Sequence, residues 1–328
     1  MQPPTAVSRN CGVWDLSELV LFETKFCLYL LTKVLKIRNF VKRRHDNPKP
    51  VDNTITGIAV KNSNLKILVQ ALTRAELAAT LQGTGLFTVF APTDAAFTAF
   101  LKTTPYATIN DVPKDVLTQI LLNHVVSGTA KSTDLQTGYI KTLAKGGAST
   151  TNTLSMYVDL TSGVKLNGVA KVTTADVMAS NGIIHVVDAV IGLPTIVTHA
   201  TANPNFSTLA TLLTTQNLIS TLSSSATPSP FTVFAPLNSA FDTATTSLYG
   251  GLTSTQKTAV LTYHVIGGAN VLSTGIPASS PTLETGILRF SGATITDEQA
   301  RVTNIVLTDV QCSNGIIHAV NKVLLPTL

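Results

Sequence analysis

The hexapeptide Phe-Thr-Val-Phe-Ala-Pro stands at residues 87–92 and stands again at residues 231–236, 144 positions later. A second run, Asn-Gly-Ile-Ile-His, occupies residues 181–185 and recurs at residues 314–318, 133 positions later. The order of the motifs is kept and their spacing changes by a few residues, as insertions in loops would produce. The sequence therefore predicts an internal repeat of one domain.

Further matches fill the interval between and before these motifs. A His-Val pair lies between them at residues 124–125 and again at residues 264–265, 140 positions later. Five apolar positions upstream recur at a constant offset of 141: Leu65, Leu68, Leu72, Leu77 and Leu81 match Phe206, Leu209, Leu213, Leu218 and Leu222. Each copy thus extends over the size of an ordinary domain.

The same offset sets the domain boundaries. It pairs Ile55 with Ile196, which follows Pro194 closely, so the two copies abut with almost no linker. A chain of 328 residues is long enough for two domains at about 150 residues each. We expect the first domain at 52–194 and the second at 195–328, arranged as a rigid tandem.

Composition excludes several classes of protein. With 44% hydrophobic and 12% charged residues, the chain suits packed cores and not disorder. Three cysteines rule out a scaffold held by disulfides. No uncharged apolar run approaches about 18 residues, which argues against a transmembrane helix. The low charge favours an exported protein with a neutral surface.

The net charge of +5 belongs to the N-terminal segment alone. Residues 1–50 hold nine Lys or Arg against four Asp or Glu, and the remaining residues hold fourteen of each. A neutral body offers no basic surface to a phosphate backbone, so nucleic acid is not expected as a partner. Any association with a membrane would run through residues 1–50.

Residues 1–51 form a basic leader or linker with alternatives that the sequence leaves open. The apolar run Phe26–Leu35 is interrupted by Lys33, and basic residues follow it, whereas a signal peptide carries its charges in front. A short membrane-leaning helix, a poorly ordered leader and a mis-assigned gene start all fit. Two prolines mark residues 46–50 as linker.

Apolar spacing predicts an α+β fold. A helix is expected around Leu65, Leu68, Val69 and Leu72, whose spacing is i, i+3, i+4, i+7. A strand covers 87–90, and strands are also predicted at 164–172 and 182–191. A helix carrying Phe97 or Phe241 follows the first strand and is capped by Thr93 or Asp94, with Asn238 in the copy. Another helix presents one face with Leu117, Ile120, Leu121 and His124. The sum is a small β-sandwich with helices on one side.

These motifs resemble the fasciclin (FAS1) domain family. The run at residues 88–97, Thr-Val-Phe-Ala-Pro-Thr-Asp-Ala-Ala-Phe, resembles the first signature of that family, and the run at residues 181–188 resembles the second. His124 matches the histidine of the Tyr-His motif between them, and Tyr263–His264 matches that motif fully. Asn123 stands at the tyrosine position in the first copy, and Leu237 replaces the threonine after Pro236.

The resemblance covers roughly residues 52–328 and carries expectations of fold and function. It implies a wedge-shaped β-sandwich flanked by helices, in two tandem copies. It also implies a role in adhesion or matrix attachment at the cell surface, with a protein or glycan partner. No Arg-Gly-Asp sequence is present, and the compact neutral repeats resemble microbial surface members of the family.

The histidines within the repeated motifs raise the question of catalysis or metal binding. His185 alternates with Ile183 and Val187, which places it on an apolar strand face, and His318 copies this arrangement. No His-x-x-x-His pair, zinc-type Cys/His cluster or Gly-x-Ser-x-Gly sequence occurs. We therefore expect no catalytic, metal or cofactor site, and assign the motif residues structural roles: Asp94, His124, His185, Asn238, Tyr263, His264 and His318.

Two functions compete at this point. The first is a non-catalytic adhesion or interaction protein at the cell surface or outside the cell. The second is a surface module that binds a glycan or an apolar small molecule. The second would use residues 138–153, rich in Gly, Thr and Ser, where the first copy is longer than the second. Whether that loop lines a pocket separates the two interpretations.

Overall fold

The computed structural model describes residues 52–83 and 85–328, together with Lys33 and Lys36. The expectations for residues 1–51, a leader or a membrane-leaning helix, fall almost wholly outside the described residues. Residues 52–328 form one compact unit. Each repeat within it contains one seven-stranded sheet with helices packed against it.

The first repeat begins with two helices and places two more between its first strands. The helices are α1 (Ile55–Lys61), α2 (Lys66–Arg74), α3 (Asp94–Leu101) and α4 (Lys114–Asn123). The strands are β1 (Phe87–Pro92), β2 (Val125–Ser127), β3 (Gly138–Lys141), β4 (Ser155–Asp159), β5 (Lys165–Leu166), β6 (Ala170–Ala179) and β7 (Gly182–Val187). Their order in the sheet is β2-β1-β7-β6-β5-β4-β3, with β1 and β7 parallel.

The second repeat copies this plan with one helix more. Its helices are α5 (Ile196–Ala202), α6 (Ser207–Thr215), α7 (Ile219–Ser223), α8 (Thr243–Gly251) and α9 (Ser254–Tyr263). Its strands are β8 (Phe231–Pro236), β9 (Val265–Gly267), β10 (Ser279–Pro281), β11 (Ile287–Ser291), β12 (Thr294–Thr296), β13 (Val302–Cys312) and β14 (Gly315–Val320). The sheet order is β10-β11-β12-β13-β14-β8-β9, with β8 and β14 parallel.

A bulged strand folds each sheet on itself. The register of β6 against β7 shifts twice, and that of β13 against β14 shifts twice in the same way. Bulges bend a strand and increase its twist. Phe90 of β1 and Met156 of β4 consequently share one buried cluster between the two halves of the first sheet. Val89 and Ala91 point to the other side and pack under the helices, so each repeat is a β-sandwich with a second, helix-covered core.

Two strand predictions need correction. Residues 164–172 do not form one strand, because Asn167 and Gly168 adopt positive φ angles and turn the chain between β5 and β6. The strand predicted at 182–191 ends at Val187. The residues that follow it supply backbone groups to the histidine described below. None of the helices that the structure describes has the length and hydropathy of a membrane span.

Candidate functional site

His124 and His264 end equivalent helices and make the same two hydrogen bonds. Each is the residue that directly follows its helix, α4 or α9, and each is buried. The Nδ1–H of His124 donates to Ile120 O at 2.8 Å, and its Nε2 accepts from the Ile191 N–H at 2.9 Å. The corresponding distances at His264 are 2.7 Å to Val260 O and 2.9 Å from Leu324 N. Both imidazoles therefore tie a helix to the segment that follows the last strand of the repeat.

These bonds fix the charge of both rings. A carbonyl can only accept and a backbone N–H can only donate, so each ring is neutral with its proton on Nδ1. Burial lowers the pKa of His124 and of His264 to about 4, against an opposing effect of the carbonyl that accepts from Nδ1. Desolvation disfavours the imidazolium, and among the described residues the accepting carbonyls, with the Asp297 carboxylate at His264, oppose this only in part.

His185 and His318 carry the opposite tautomer on strands β7 and β14. The Nε2–H of His185 donates to Ala130 O at 2.9 Å, and its Nδ1 accepts from Asp176 N at 3.3 Å. The ring stacks on Phe90, with centroids 5.5 Å apart. His318 repeats these contacts with Val271 O at 2.9 Å and Asp309 N at 3.4 Å. Burial lowers the pKa of His318 as well.

All four motif histidines thus have both ring nitrogens engaged with backbone groups. A general base or a metal ligand needs a free nitrogen lone pair, and using one here would break a buried backbone hydrogen bond. Across the part of the chain that the structure describes, no three His, Cys, Asp or Glu side chains come together as a metal site. What this arrangement does chemically is hold loops and helices onto a sheet.

Asn123 and Tyr263, which precede these histidines, reach different partners. The Tyr263 hydroxyl donates to Ile287 O at 3.0 Å and accepts from Glu298 N at 3.1 Å. Burial raises the pKa of Tyr263 to about 12. Asn123 is too short to reach the equivalent strand and instead donates to Gly192 O at 2.9 Å. Both side chains are fully buried, so the substitution keeps a hydrogen bond but redirects it.

Asp94 and Asn238 occupy equivalent positions, yet neither caps the helix that follows it. Thr93 is the cap of α3, since its hydroxyl accepts from Ala96 N at 3.2 Å. Asp94 Oδ1 instead accepts from Ile67 N at 2.7 Å, at the start of α2. The prediction that Asn238 caps a helix carrying Phe241 is wrong.

Leu237 explains this outcome. It has no side-chain oxygen, so only a 3₁₀ turn (Asn238–Ala240) forms, and α8 begins later with Asp242 as its cap. Asn238 Oδ1 accepts from Thr208 N at 3.0 Å, which copies the contact of Asp94. The pair therefore ties two helical segments together in both repeats.

The sequence reasoning missed the asparagines of the second motif. Asn181 accepts from Ile55 N at 2.9 Å and donates to Leu81 O at 2.6 Å, and Asn314 does the same for Ile196 and Leu222. The recurrence of Asn-Gly at both sites was the available signal. The glycine is needed because a Cβ at Gly182 would lie 2.0 Å from the carbonyl oxygen of Phe87.

The long loop of the first repeat contacts the second repeat. The N–H groups of Gly147 and Ala148 both donate to Ser313 O, at 3.1 and 2.9 Å. Lys141 Nζ donates to Asp309 O at 2.8 Å, and the Ser155 hydroxyl accepts from Gln311 N at 3.0 Å. Residues 138–153 are therefore first of all part of the contact between the repeats.

His199, outside the motifs, lies buried at this contact and was also missed. Its ring meets Tyr139 edge-on at 5.3 Å between centroids. Both ring nitrogens lack a hydrogen-bond partner in the described part of the chain. Burial, with a smaller effect of the nearby Lys141 ammonium, lowers the pKa of His199 to about 3. No sequence motif marked this residue, because its surroundings come from the other repeat.

Two open clefts also flank the loop. One, of about 800 Å³, lies between the first half of α4 and Gly146–Gly147, with Leu193 at its wall. The other, of about 350 Å³, is lined by loop and inter-repeat residues: Lys141, Thr151, Asn152, Thr153, Leu272, Asp309 and Gln311. The loop thus lines two open clefts, of which the smaller has mostly polar side chains on its wall.

Comparison with known proteins gives the following matches. The Fasciclin domain profile matches residues 63–194 and 204–326. Protein sll1483 from Synechocystis sp. is 41% identical over 138 residues, which are 42% of this chain and 72% of that protein. Cell surface glycolipoprotein MPB83 from Mycobacterium bovis is 31% identical over 138 residues, 40% of this chain and 60% of that protein.

A solved structure shows a more distant likeness. The FAS1 domain pair from the insect cell adhesion molecule Fasciclin I covers 82% of this chain and 95% of its own, at 18% identity and a TM-score of 0.43. A score of this size adds nothing to the assignment. The profile matches both repeats and most of the chain, and the histidine contacts recur in each repeat. The chain therefore belongs to the fasciclin domain family, as a tandem of two such domains.

Proposed function

We propose that this protein is a non-catalytic adhesion or interaction protein that acts at the cell surface or outside the cell. The observation that carries the proposal is the backbone engagement of the motif histidines in both fasciclin domains. Imidazoles are the side chains that most often transfer protons in enzymes, and here they hold helices and loops in place instead. Some of the differences between the repeats, such as the displaced helix α8, lie at the surface, where partners bind.

Support for the location comes from relatives and composition. One relative is named a cell surface glycolipoprotein, and the body of residues 51–328 is neutral overall. Both observations support the proposed location at the cell surface or in the extracellular space. A protein or glycan is the proposed partner, and residues 1–50 would provide any contact with a membrane.

Display of the full chain on cells tests the proposal. Tagged chain should be reachable by external protease, and the displaying cells should attach to partner surfaces that do not themselves carry the chain. The matched control replaces Gly182 and Gly315 by Val, because a Cβ at either position overlaps a carbonyl oxygen and unfolds both domains without changing charge. Attachment that is equal in the two cases, or a tag that stays internal, would contradict the proposal.

The clefts beside the long loop favour a second candidate, a glycan-binding module. Asn152 and Thr151 lie in the smaller cleft, and their side chains can be shortened without removing the backbone turn. If the protein retains a polysaccharide on an affinity column, Asn152→Ala should weaken retention. Unchanged retention in that variant would remove the cleft from consideration.

A further inference from the structure

Within the chain, one repeat docks on the other through two unlike surfaces. The edge surface consists of β3 and β4 of the first repeat, and the acceptor surface consists of α5 and the bulged part of β13 in the second. Because both repeats share one fold, each repeat has both surfaces. The described residues cover only one of each, and leave the acceptor surface of the first repeat and the edge surface of the second exposed.

The sheet register identifies which residues correspond on the two edge surfaces. Met156 in β4 and Leu288 in β11 are both fully buried in the sandwich cores. The residue before each of them, Ser155 and Ile287, pairs with the last residue of the outermost strand, Lys141 or Pro281. Ile287 therefore occupies on the second repeat the place that Ser155 occupies at the docked edge.

The acceptor surfaces correspond through their bulges. Asp176 and Asp309 both adopt positive φ, at 60° and 61°. Each carboxylate receives hydrogen bonds from a serine, Ser132 or Ser273. Two residues further on, Met178 in the first repeat stands where Gln311 stands in the second. The docked pair Ser155–Gln311 thus has a counterpart in Ile287 and Met178.

The two pairs differ in polarity and in exposure. Ser155 and Gln311 are 1% and 0% exposed and hydrogen-bond across the contact. Ile287 and Met178 are 43% and 59% exposed, so two large apolar side chains stand on surfaces that match by position. Covering both would remove apolar area from water.

The neighbouring positions change in both directions, some losing and some gaining a polar or charged group. Lys141 on the docked edge is replaced by Pro281, and His199 on the docked acceptor surface is replaced by Ile58. Contact between the free surfaces would therefore not bury those two groups, but it would bring in other charges, because Arg289 stands where Tyr157 stands on the docked edge and Lys61 stands where Ala202 stands on the docked acceptor surface. Pro281 also lacks an N–H and lies on the edge strand, which prevents continuation of the sheet and favours contact through side chains.

We propose that a second copy of this chain binds here, with Ile287 of one copy on Met178 of the next. The contact joins unlike surfaces, so it is head-to-tail, and its repetition produces a closed ring or an open chain. It lacks the bonds that the long loop supplies inside the chain, because β10 and β11 are joined by a short connection. The association is therefore weaker than the docking of the two repeats.

Sedimentation of the full chain over a concentration series tests the proposal. Wild type should show a mass that rises steadily with concentration. Ile287→Asp and Met178→Asp should each weaken association about tenfold or more, because a carboxylate would be covered without a partner. Leu248→Asp, at an apolar residue of similar exposure on α8, is the matched control and should associate as wild type does.

Mixing the two variants decides the geometry. Each variant retains one intact surface, so an equimolar mixture of Ile287→Asp and Met178→Asp should form pairs and stop there. Circular dichroism checks that all variants are folded. A wild type that stays monomeric would overturn the proposal and leave these surfaces to a different protein. A mixture as monomeric as its components would equally overturn it, since head-to-tail pairing requires recovery.

Discussion

The helix that follows the first strand differs between the two repeats, whereas the histidine that ends a later helix does not. Thr93 caps one continuous helix, and Leu237 leaves a 3₁₀ turn and a displaced helix in the copy. The bonds of His124 and His264 nevertheless agree within 0.1 Å. The repeats thus tolerate change where a helix lies at the surface and keep the contacts that join sheet, helix and tail.

A second difference concerns contacts outside the shared core. The first repeat adds the long loop that reaches Ser313. The second adds a buried carboxylate, Asp297, which accepts from Arg301 at 2.7 Å and from the N–H of Leu325 in its tail. The additional contacts of the first repeat therefore stabilise its docking on the second repeat. Those of the second repeat stabilise its own C-terminal tail.

The largest expected effect is a loss of stability in acid that both repeats share. His124 and His264 have pKa values lowered to about 4, and that of His199 is lowered to about 3. Between these values and the unfolded value near 6.5, the unfolded chain binds more protons, so stability falls as pH falls. Each histidine contributes about 1 kcal/mol per pH unit in that window.

Chemical denaturation between pH 7 and pH 4 measures this dependence. The comparison is sharpened by His199→Phe, which removes only the histidine at the contact between the repeats and should reduce the slope without abolishing it. A free energy of unfolding that is flat from pH 6.5 to pH 4.5 would show that these rings are not neutral and buried.

Removing the imidazole of His124 or of His264 should lower the free energy of unfolding by about 3 kcal/mol, because two buried backbone groups lose their hydrogen-bond partner. His124→Ala and His264→Ala should cost the same amount, since their bonds have equal lengths. Amide hydrogen exchange distinguishes the repeats: Ile191 should lose protection in the first variant and Leu324 in the second. Unequal costs would show that the surroundings, rather than the histidine bonds, determine stability.

Tyr263→Phe should destabilise the second repeat by about 1 kcal/mol, the net value of a lost hydrogen bond. The hydroxyl donates to Ile287 O and accepts from the N–H of Glu298. Hydrogen exchange should therefore become faster at the amide of Glu298. The first repeat, with Asn123 directed to Gly192, should be unaffected. A loss of protection at Ile191 in this variant would mean that the two repeats are coupled more tightly than their separate cores indicate.

The smallest effect on stability is expected from substitutions at helix N-caps. Thr93→Ala removes the hydroxyl that accepts from Ala96 and should cost about 1 kcal/mol. The matched change Thr215→Ala removes an exposed hydroxyl at the end of a helix, where no cap is lost, and should be near neutral. Thermal unfolding compares the two variants, and equal midpoints would contradict the assignment of Thr93 as cap.

Sequence alone located the repeat, the sandwich and the burial of the motif histidines, because the alternation of apolar residues and the recurrence of a motif can both be read directly from the order of residues. The partners of those histidines were out of reach, since His124 and Ile191 are 67 positions apart in the chain. Asn238 was misassigned because its role depends on Thr208 and on the missing hydroxyl of Leu237. The function of the long loop depends on Ser313 of the other repeat, which no pattern within the loop reveals.

Nuclear magnetic resonance of the imidazole nitrogens tests most directly whether the motif histidines serve the fold. At pH 7 we expect four neutral rings in fixed tautomers, with the proton on Nδ1 in His124 and His264 and on Nε2 in His185 and His318. At His124 and His264, whose pKa values are lowered to about 4, the pattern should persist to pH 5. Rings that exchange tautomers, carry two protons at neutral pH, or shift on addition of zinc would contradict the structural role.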